Sequence, residues 1–169
     1  LTLGGAGKTP VTAAVRAYYA AKGARAASLS RGYRGSIIGP THVDAQSNTA
    51  AEVGDEPLML AATGEAWISK DRAAGAQAMR EAGVQIVVMD DGHQNPTLRK
   101  SLSVVVIDAS NPFGNGHVFP KGPLREPVAE GLSRADAVVL MGKGEMHAAL
   151  NEFNGVVLFD ASTATVTIQ

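Results

Sequence analysis

The run Gly4-Gly5-Ala6-Gly7-Lys8-Thr9, followed at once by Pro10, constrains the chain more than any other feature. Backbone N–H groups of such a loop converge on phosphate oxygens, and the helix that follows presents its positive end to them. Glycine lets the backbone come close and take the dihedrals required. The lysine then reaches the terminal phosphates, and the next hydroxyl serves Mg²⁺. Lys8 and Thr9 fill those two roles, and Pro10 suits an early helical position where no donor is needed. The usual phosphate-loop pattern opens on a glycine at the position held here by Thr2. A glycine-rich turn followed by an exposed lysine is the competing reading, and the order strand end, loop, helix favours the phosphate loop.

A loop of this kind sits in an α/β domain, and the rest of the chain agrees. Apolar helical spacing from Val11 to Lys22 ends at Gly23, and an apolar run covers Ala24 to Leu29. A short helix is expected over Glu56 to Thr63, a brief strand at Ala66-Trp67-Ile68, and an alanine-rich helix from Lys70 to Ala82, closed by Gly83. Val84 to Met89 reads as the clearest buried strand, followed by Leu102 to Ile107 and Ala135 to Met141. Continuous apolar runs separated by helices predict a three-layer fold, with a mostly parallel sheet and helices on both faces. The 169 residues predict one domain with a single core. Leu1-Thr2-Leu3 reads as the end of a strand, and Val156 to Thr167 is again strand-like. Residues 1–169 are therefore expected to be a phosphate-loop domain truncated at both ends, with no complete second domain.

A formal charge of −1 gives no general reason to expect nucleic acid as a partner. Zero cysteines exclude disulfides and thiolate metal sites. His42, His93, His117 and His147 show no metal-ligand spacing. No apolar run reaches the length of a membrane span.

Two acidic pairs supply the remaining chemistry. Asp90 and Asp91 close the strand Ile86 to Met89, and a carboxylate at the C-terminal end of a parallel strand lies where such sheets bind ligands. One of them is suited to Mg²⁺; the alternative is an acidic turn before Gly92. Asp55 and Glu56 stand at a helix start, where Asp55 is either the N-cap or a base for an attacking hydroxyl. Spacing fits both. Among the arginines, Arg72 and Arg125 are the preferred phosphate clamps over Arg31 and Arg34. The Gly/Pro-rich stretch Ser110 to Arg134 is too long for a plain connection, and its part from Pro112 to Pro127 suits an acceptor-binding loop.

Together these residues resemble the tetraacyldisaccharide 4′-kinase family. The family's loop, Thr-x-Gly-Gly-x-Gly-Lys-Thr-Pro, is reproduced from Thr2 to Pro10, so the irregular Thr2 becomes part of the match. Ser30-Arg31-Gly32-Tyr33, Gly54-Asp55-Glu56-Pro57, Asp90-Asp91-Gly92-His93-Gln94-Asn95, Phe113-Gly114-Asn115-Gly116 and Pro120 to Glu126 follow in the family's order. The resemblance implies ATP-dependent phosphorylation of the 4′-hydroxyl of a lipid disaccharide 1-phosphate, giving lipid IVA. It implies the cytoplasmic face of a Gram-negative inner membrane as the place.

It also implies roles. Gly4, Gly5, Ala6, Gly7, Lys8 and Thr9 bind ATP. Asp55 is the base, with Lys8 and Asp91 beside it as catalytic residues. Thr9, Glu56 and Asp90 serve Mg²⁺, and Gln94, Arg125 and Glu126 line the acceptor cleft. Two departures stand out. His93 replaces an apolar residue, and no histidine here matches the family's C-terminal histidine that works with the catalytic aspartate. The family's amphipathic N-terminal membrane segment is also missing, so the fragment alone is expected to be inactive. A nucleotide-driven switch related to partitioning ATPases, which carries a lysine where this chain has Leu3, and a kinase of a soluble metabolite are the competing functions.

Overall fold

The computed structural model describes residues 1–2, 7–142, 147–151, 153, 156–160 and 165–167. Gly4, Gly5 and Ala6, with Leu3, lie outside the described residues. The chain divides into two compact units, one of Leu1–Gly7 with Lys100–Gln169 and one of Lys8–Arg99. Among the described residues, the buried apolar side chains form three clusters.

The unit Lys8–Arg99 opens with α1 (Lys8–Ala21), which begins ahead of the expected Val11 because Pro10 is accommodated in the first turn. Its fully buried residues are Thr12 and Arg16, both polar. Arg16 is 3% exposed and donates to Ser28 Oγ (3.1 Å), Glu65 O (3.0 Å) and Thr63 Oγ1 (2.7 Å). Burial lowers its pKa, and these acceptors satisfy a charge that would otherwise be costly there. The helix thus packs through a hydrogen-bonded stripe on successive turns, with Val11, Ala13 and Val15 only half-buried beside it.

That stripe meets β1 (Ala26–Ser30), in which all five residues are buried. β1 pairs in parallel with β3 (Ala66–Ile68) on one side and β4 (Ile86–Met89) on the other. β2 (Thr41–Val43) adds antiparallel to β3, so the order is β2-β3-β1-β4. The residues of β4 are half-buried, although their continuous apolar run predicts full burial; among the described residues β4 is one of the two edge strands of this sheet. Short helices α2 (Ala50–Val53) and α3 (Asp55–Ala61) precede β3, and α4 (Arg72–Glu81) links β3 to β4. Asp71 caps α4 by accepting from the amides of Ala73 and Ala74.

The other unit carries a second four-stranded sheet, β5 (Val104–Asp108), β6 (Ala137–Met141), β7 (Val156–Asp160) and β8 (Thr165–Thr167), in that order. The first three are parallel and β8 is antiparallel. Its core gathers Leu1, Ile107, Phe113, Leu124, Leu132 and Leu140. α5 (Val128–Ser133) leads into β6. The fold is therefore α/β with mostly parallel strands, as the apolar runs predict.

Candidate functional site

Lys8 and Thr9 form the first turn of α1, where the leading backbone N–H groups have no partner within the helix. Gly7, just before them in the chain, has φ +79°, and a Cβ on it would lie 3.0 Å from Met141 Cε. The end of the glycine loop is thus held in a conformation and a space that favour glycine.

Within the unit Lys8–Arg99, this helix start meets the end of β4. The Asp90 amide extends the β1 ladder by donating to Leu29 O at 3.0 Å. Thr9 Oγ1 donates to Asp90 Oδ2 and Thr12 Oγ1 to Asp90 Oδ1, both at 3.3 Å. Lys8 Nζ stands 3.9 Å from Asp91 Oδ1. Residues some 81 positions apart in sequence therefore converge on one polar edge. Asp90 is 3% exposed, and desolvation raises its pKa against the opposing bonds from Thr12 and Thr9. Asp91 turns the chain with φ +54°, a left-handed conformation that aspartate tolerates better than most residues.

These groups fit a metal-bound phosphate. A threonine hydroxyl and a carboxylate are hard oxygen donors of the kind Mg²⁺ prefers. Both threonine contacts are longer than the usual 2.5–3.0 Å of an O–H···O bond. The hydroxyl of Thr9 is thus only loosely committed to Asp90. A buried carboxylate with a raised pKa is stabilised in its ionised form by a nearby cation.

Arg72, one of the two arginines preferred as phosphate clamps, joins this edge. It is 5% exposed and donates through Nη1 to Ser69 O, while its Nε has no partner. Burial lowers its pKa, as does Arg31, whereas Asp91 and Asp90 oppose the shift. Thr12 is a site residue that sequence reasoning misses. Its one sequence signal is its spacing, a helical turn beyond Lys8 and a turn before Arg16.

Asp55 and Glu56 occupy the first turn of α3, both exposed. The N-cap is Gly54 rather than Asp55, so capping does not explain the aspartate. Gly54 has φ +92°, and a Cβ there would sit 2.6 Å from Tyr33 O. The Gly54-Asp55 and Ser30-to-Tyr33 segments are thereby brought into close contact, and Ser36 and Ile37 extend it by donating to Ala51 O and Glu52 O. Among the described residues, no three His, Asp or Glu side chains form a metal-holding group. Gln94 is half-buried in the turn after β4.

Arg125 and Glu126 belong to the other unit. The Arg125 amide donates to Leu1 O at 2.9 Å, and Glu126 is paired with Arg134. They follow a braced loop in which Leu124 is fully buried and Phe113 packs edge-on against His147 at 4.8 Å. Phe113, Asn115, Gly116, Val128 and His147 line a shallow cleft of about 380 Å³ in this unit.

The family model for tetraacyldisaccharide-1-P 4′-kinase matches residues 1–167. The tetraacyldisaccharide 4′-kinase of Hyphomonas neptunium is 62% identical over 144 residues, which is 85% of this chain and 43% of that protein. That of Dinoroseobacter shibae is 56% identical over 142 residues, 84% of this chain and 42% of the relative. The chain thus spans less than half the length of these relatives. Among solved structures, LpxK from Aquifex aeolicus in complex with ATP superposes with a TM-score of 0.73 at 26% identity, over 94% of this chain and 51% of that one. With the loop, the strand-end acids and the fold in agreement, the chain belongs to the tetraacyldisaccharide-1-P 4′-kinase family.

Proposed function

We propose that this chain supplies the nucleotide-binding part of an ATP-dependent kinase that phosphorylates the 4′-hydroxyl of a tetraacyldisaccharide 1-phosphate, giving lipid IVA in lipid A biosynthesis. The observation that carries the reading is the convergence of Lys8 and Thr9 on Asp91 and Asp90. Family membership and the ATP complex of the Aquifex aeolicus relative support it.

In this reading the loop Gly4 to Gly7 and the start of α1 hold the ATP phosphates, and Lys8 neutralises their terminal oxygens. Thr9 and Asp90 would hold Mg²⁺, with Glu56 contributing from the acceptor side. The ion supplies charge neutralisation across the phosphates. Asp91 keeps Lys8 directed at the loop, and the buried guanidinium of Arg72 balances the two acids. Asp55 takes the proton of the 4′-hydroxyl as that oxygen bonds to the γ-phosphorus and the bond to ADP breaks. Gln94, Arg125 and Glu126 orient the acceptor.

Because the acceptor is a lipid, the enzyme works at a membrane surface, which we assign to the cytoplasmic face of a Gram-negative inner membrane. No helix among the described residues is long and apolar enough to cross one. The isolated chain is expected to bind nucleotide weakly and to turn nothing over.

The test compares phosphate transfer by the intact protein to the lipid disaccharide and to soluble sugars. Transfer to the lipid alone supports the reading, and equal transfer to soluble sugars defeats it. Asp55→Ala is expected to lower kcat by roughly 10²–10⁴ while ATP affinity is kept. Near-normal turnover in that variant removes Asp55 as the base.

A further inference from the structure

The segment from Ala109 to Arg125 breaks the ordinary rule for exposed loops. Residues 114–121 are all exposed, yet they include Val118 and Phe119, the latter 67% exposed. A bulky aromatic at a loop tip is usually tolerated because the loop is loose and folds it back. Here the backbone is fixed. The Phe119 amide donates to Leu124 O at 2.8 Å, and the Leu124 amide to His117 O at 3.1 Å. Lys121 and Gly122 donate to Val118 O, at 3.1 and 3.2 Å, closing the turn. Asn115 straps it from one side, with Nδ2 donating to Lys121 O at 2.9 Å and Oδ1 accepting from the His117 amide at 3.1 Å. Leu124, at 0% exposure, anchors the far end in the core. The chain therefore commits many hydrogen bonds to holding two apolar side chains in water.

Charge is equally one-sided. Between Asp108 and Glu126 the sequence contains Lys121, Arg125 and His117 and no acidic residue, in a protein whose overall formal charge is −1. An aromatic and a β-branched residue at a rigid tip, with a lysine beside them, match a lipid–water interface. The ring enters the region below the headgroups, and the ammonium stays among anionic phosphates. The lipid acceptor of the proposed kinase brings a bilayer to this chain, and Lys121, in a tip without carboxylates, suits its anionic headgroups.

We propose that the braced tip Val118-Phe119-Pro120-Lys121 inserts into the surface of an anionic bilayer, as a membrane contact carried by this chain itself. It builds on the lipid-kinase reading, which supplies the reason for a membrane; its physics rests on the tip alone. The contact is shallow and reversible, since one aromatic, one valine and one lysine give only modest partitioning.

Phe119→Trp in this chain reports insertion directly, with the half-buried Trp67 of the parent protein as background. Vesicles of phosphatidylcholine with phosphatidylglycerol should shift the emission of the introduced indole to the blue, and brominated acyl chains should quench it. Pure phosphatidylcholine should do so much less. The double change Val118→Ser/Phe119→Ser should lower vesicle partitioning by roughly tenfold to a hundredfold. Lys121→Ala should lower it by about fivefold and reduce the preference for anionic lipid.

Emission of the Phe119→Trp variant that anionic vesicles leave unchanged overturns the proposal. So does a concentration-dependent dimer, formed without lipid and dissolved by Phe119→Ser, which would assign the tip to self-association. The two readings fail separately: insertion of the introduced indole with no transfer to lipid by the intact protein sinks the kinase and keeps the tip. Transfer to lipid with no insertion does the reverse.

Discussion

The polar edge of the unit Lys8–Arg99 and the Gly/Pro-rich segment of the other unit break the hydrophobic-inside rule in opposite directions. At the first, Asp90 and Arg72 are buried where apolar side chains are the norm. In the second, Val118 and Phe119 are held in solvent by a hydrogen-bonded backbone. Both departures cost stability, and hydrogen bonds hold each in place. The first arrangement suits a small, highly charged ligand, because low local dielectric strengthens every interaction with it. The second suits an extended apolar surface. The contrast separates the residues proposed to hold phosphate from those proposed to meet lipid, and it can be broken at several points.

The largest expected effect is at Lys8. Lys8→Ala in the intact protein removes a cation 3.9 Å from Asp91 that is proposed to neutralise the terminal phosphates, and kcat/KM for ATP should fall by about 10³ or more. Steady-state transfer assays measure it. A loss below tenfold would mean that the start of α1 is not the phosphate site.

That site is legible in the sequence because its parts are local. A glycine loop, a lysine and a helix start form a contiguous string, and Asp90-Asp91 follow an apolar run that ends visibly. What cannot be read is whatever depends on packing across the chain. Thr12 and Arg16 sit in a helix whose apolar residues Val11 and Val15, a turn apart, are only half-buried. Their burial follows from acceptors on Ser28, Thr63, Glu65 and Asp90, none of which a periodicity count includes. Asp55 is ambiguous for a related reason. Only the backbone of Gly54, turned at φ +92° against Tyr33, shows that the cap is the glycine. The exposure of Phe119 is hidden because the loop composition says nothing about which apolar residues, Phe113 and Leu124 or Val118 and Phe119, go inside.

Arg16 provides the next break. Arg16→Ala strands three acceptors around a buried site, and unfolding free energy should drop by about 3 kcal/mol or more in a denaturant titration. Arg16→Lys should recover only part of it, because a single ammonium cannot reproduce the guanidinium fork. Phe113→Ala in the other unit should cost a comparable amount, about 3–5 kcal/mol, through the cavity it leaves.

A smaller and pH-dependent effect is expected at Asp90. Its folded pKa is raised, mainly by desolvation, so the stability it contributes is complete below the unfolded carboxylate value of about 3.9. That contribution is lost as pH rises through the folded value. Asp90→Asn should therefore raise the Tm of the ligand-free protein at neutral pH, with the difference shrinking in acid. The same variant should lose Mg²⁺-dependent nucleotide binding. Thr12→Val removes a bond that opposes the shift, and should cost about 1–2 kcal/mol at neutral pH and less in acid. Melting curves across pH check both, and a Thr12→Val penalty that grows toward acid contradicts the assignment.

The smallest effect should come from Phe119, six residues after Phe113 in the same loop. Phe113 is 4% exposed and Phe119 67%, so replacing the second removes almost no buried area. Phe119→Ser should leave unfolding free energy within about 0.5 kcal/mol, since the bonds that brace the tip run through the backbone and Asn115. A loss of 2 kcal/mol or more, on the order of a core truncation, would show that the ring packs in solution. A near-zero change leaves the aromatic without a role in folding.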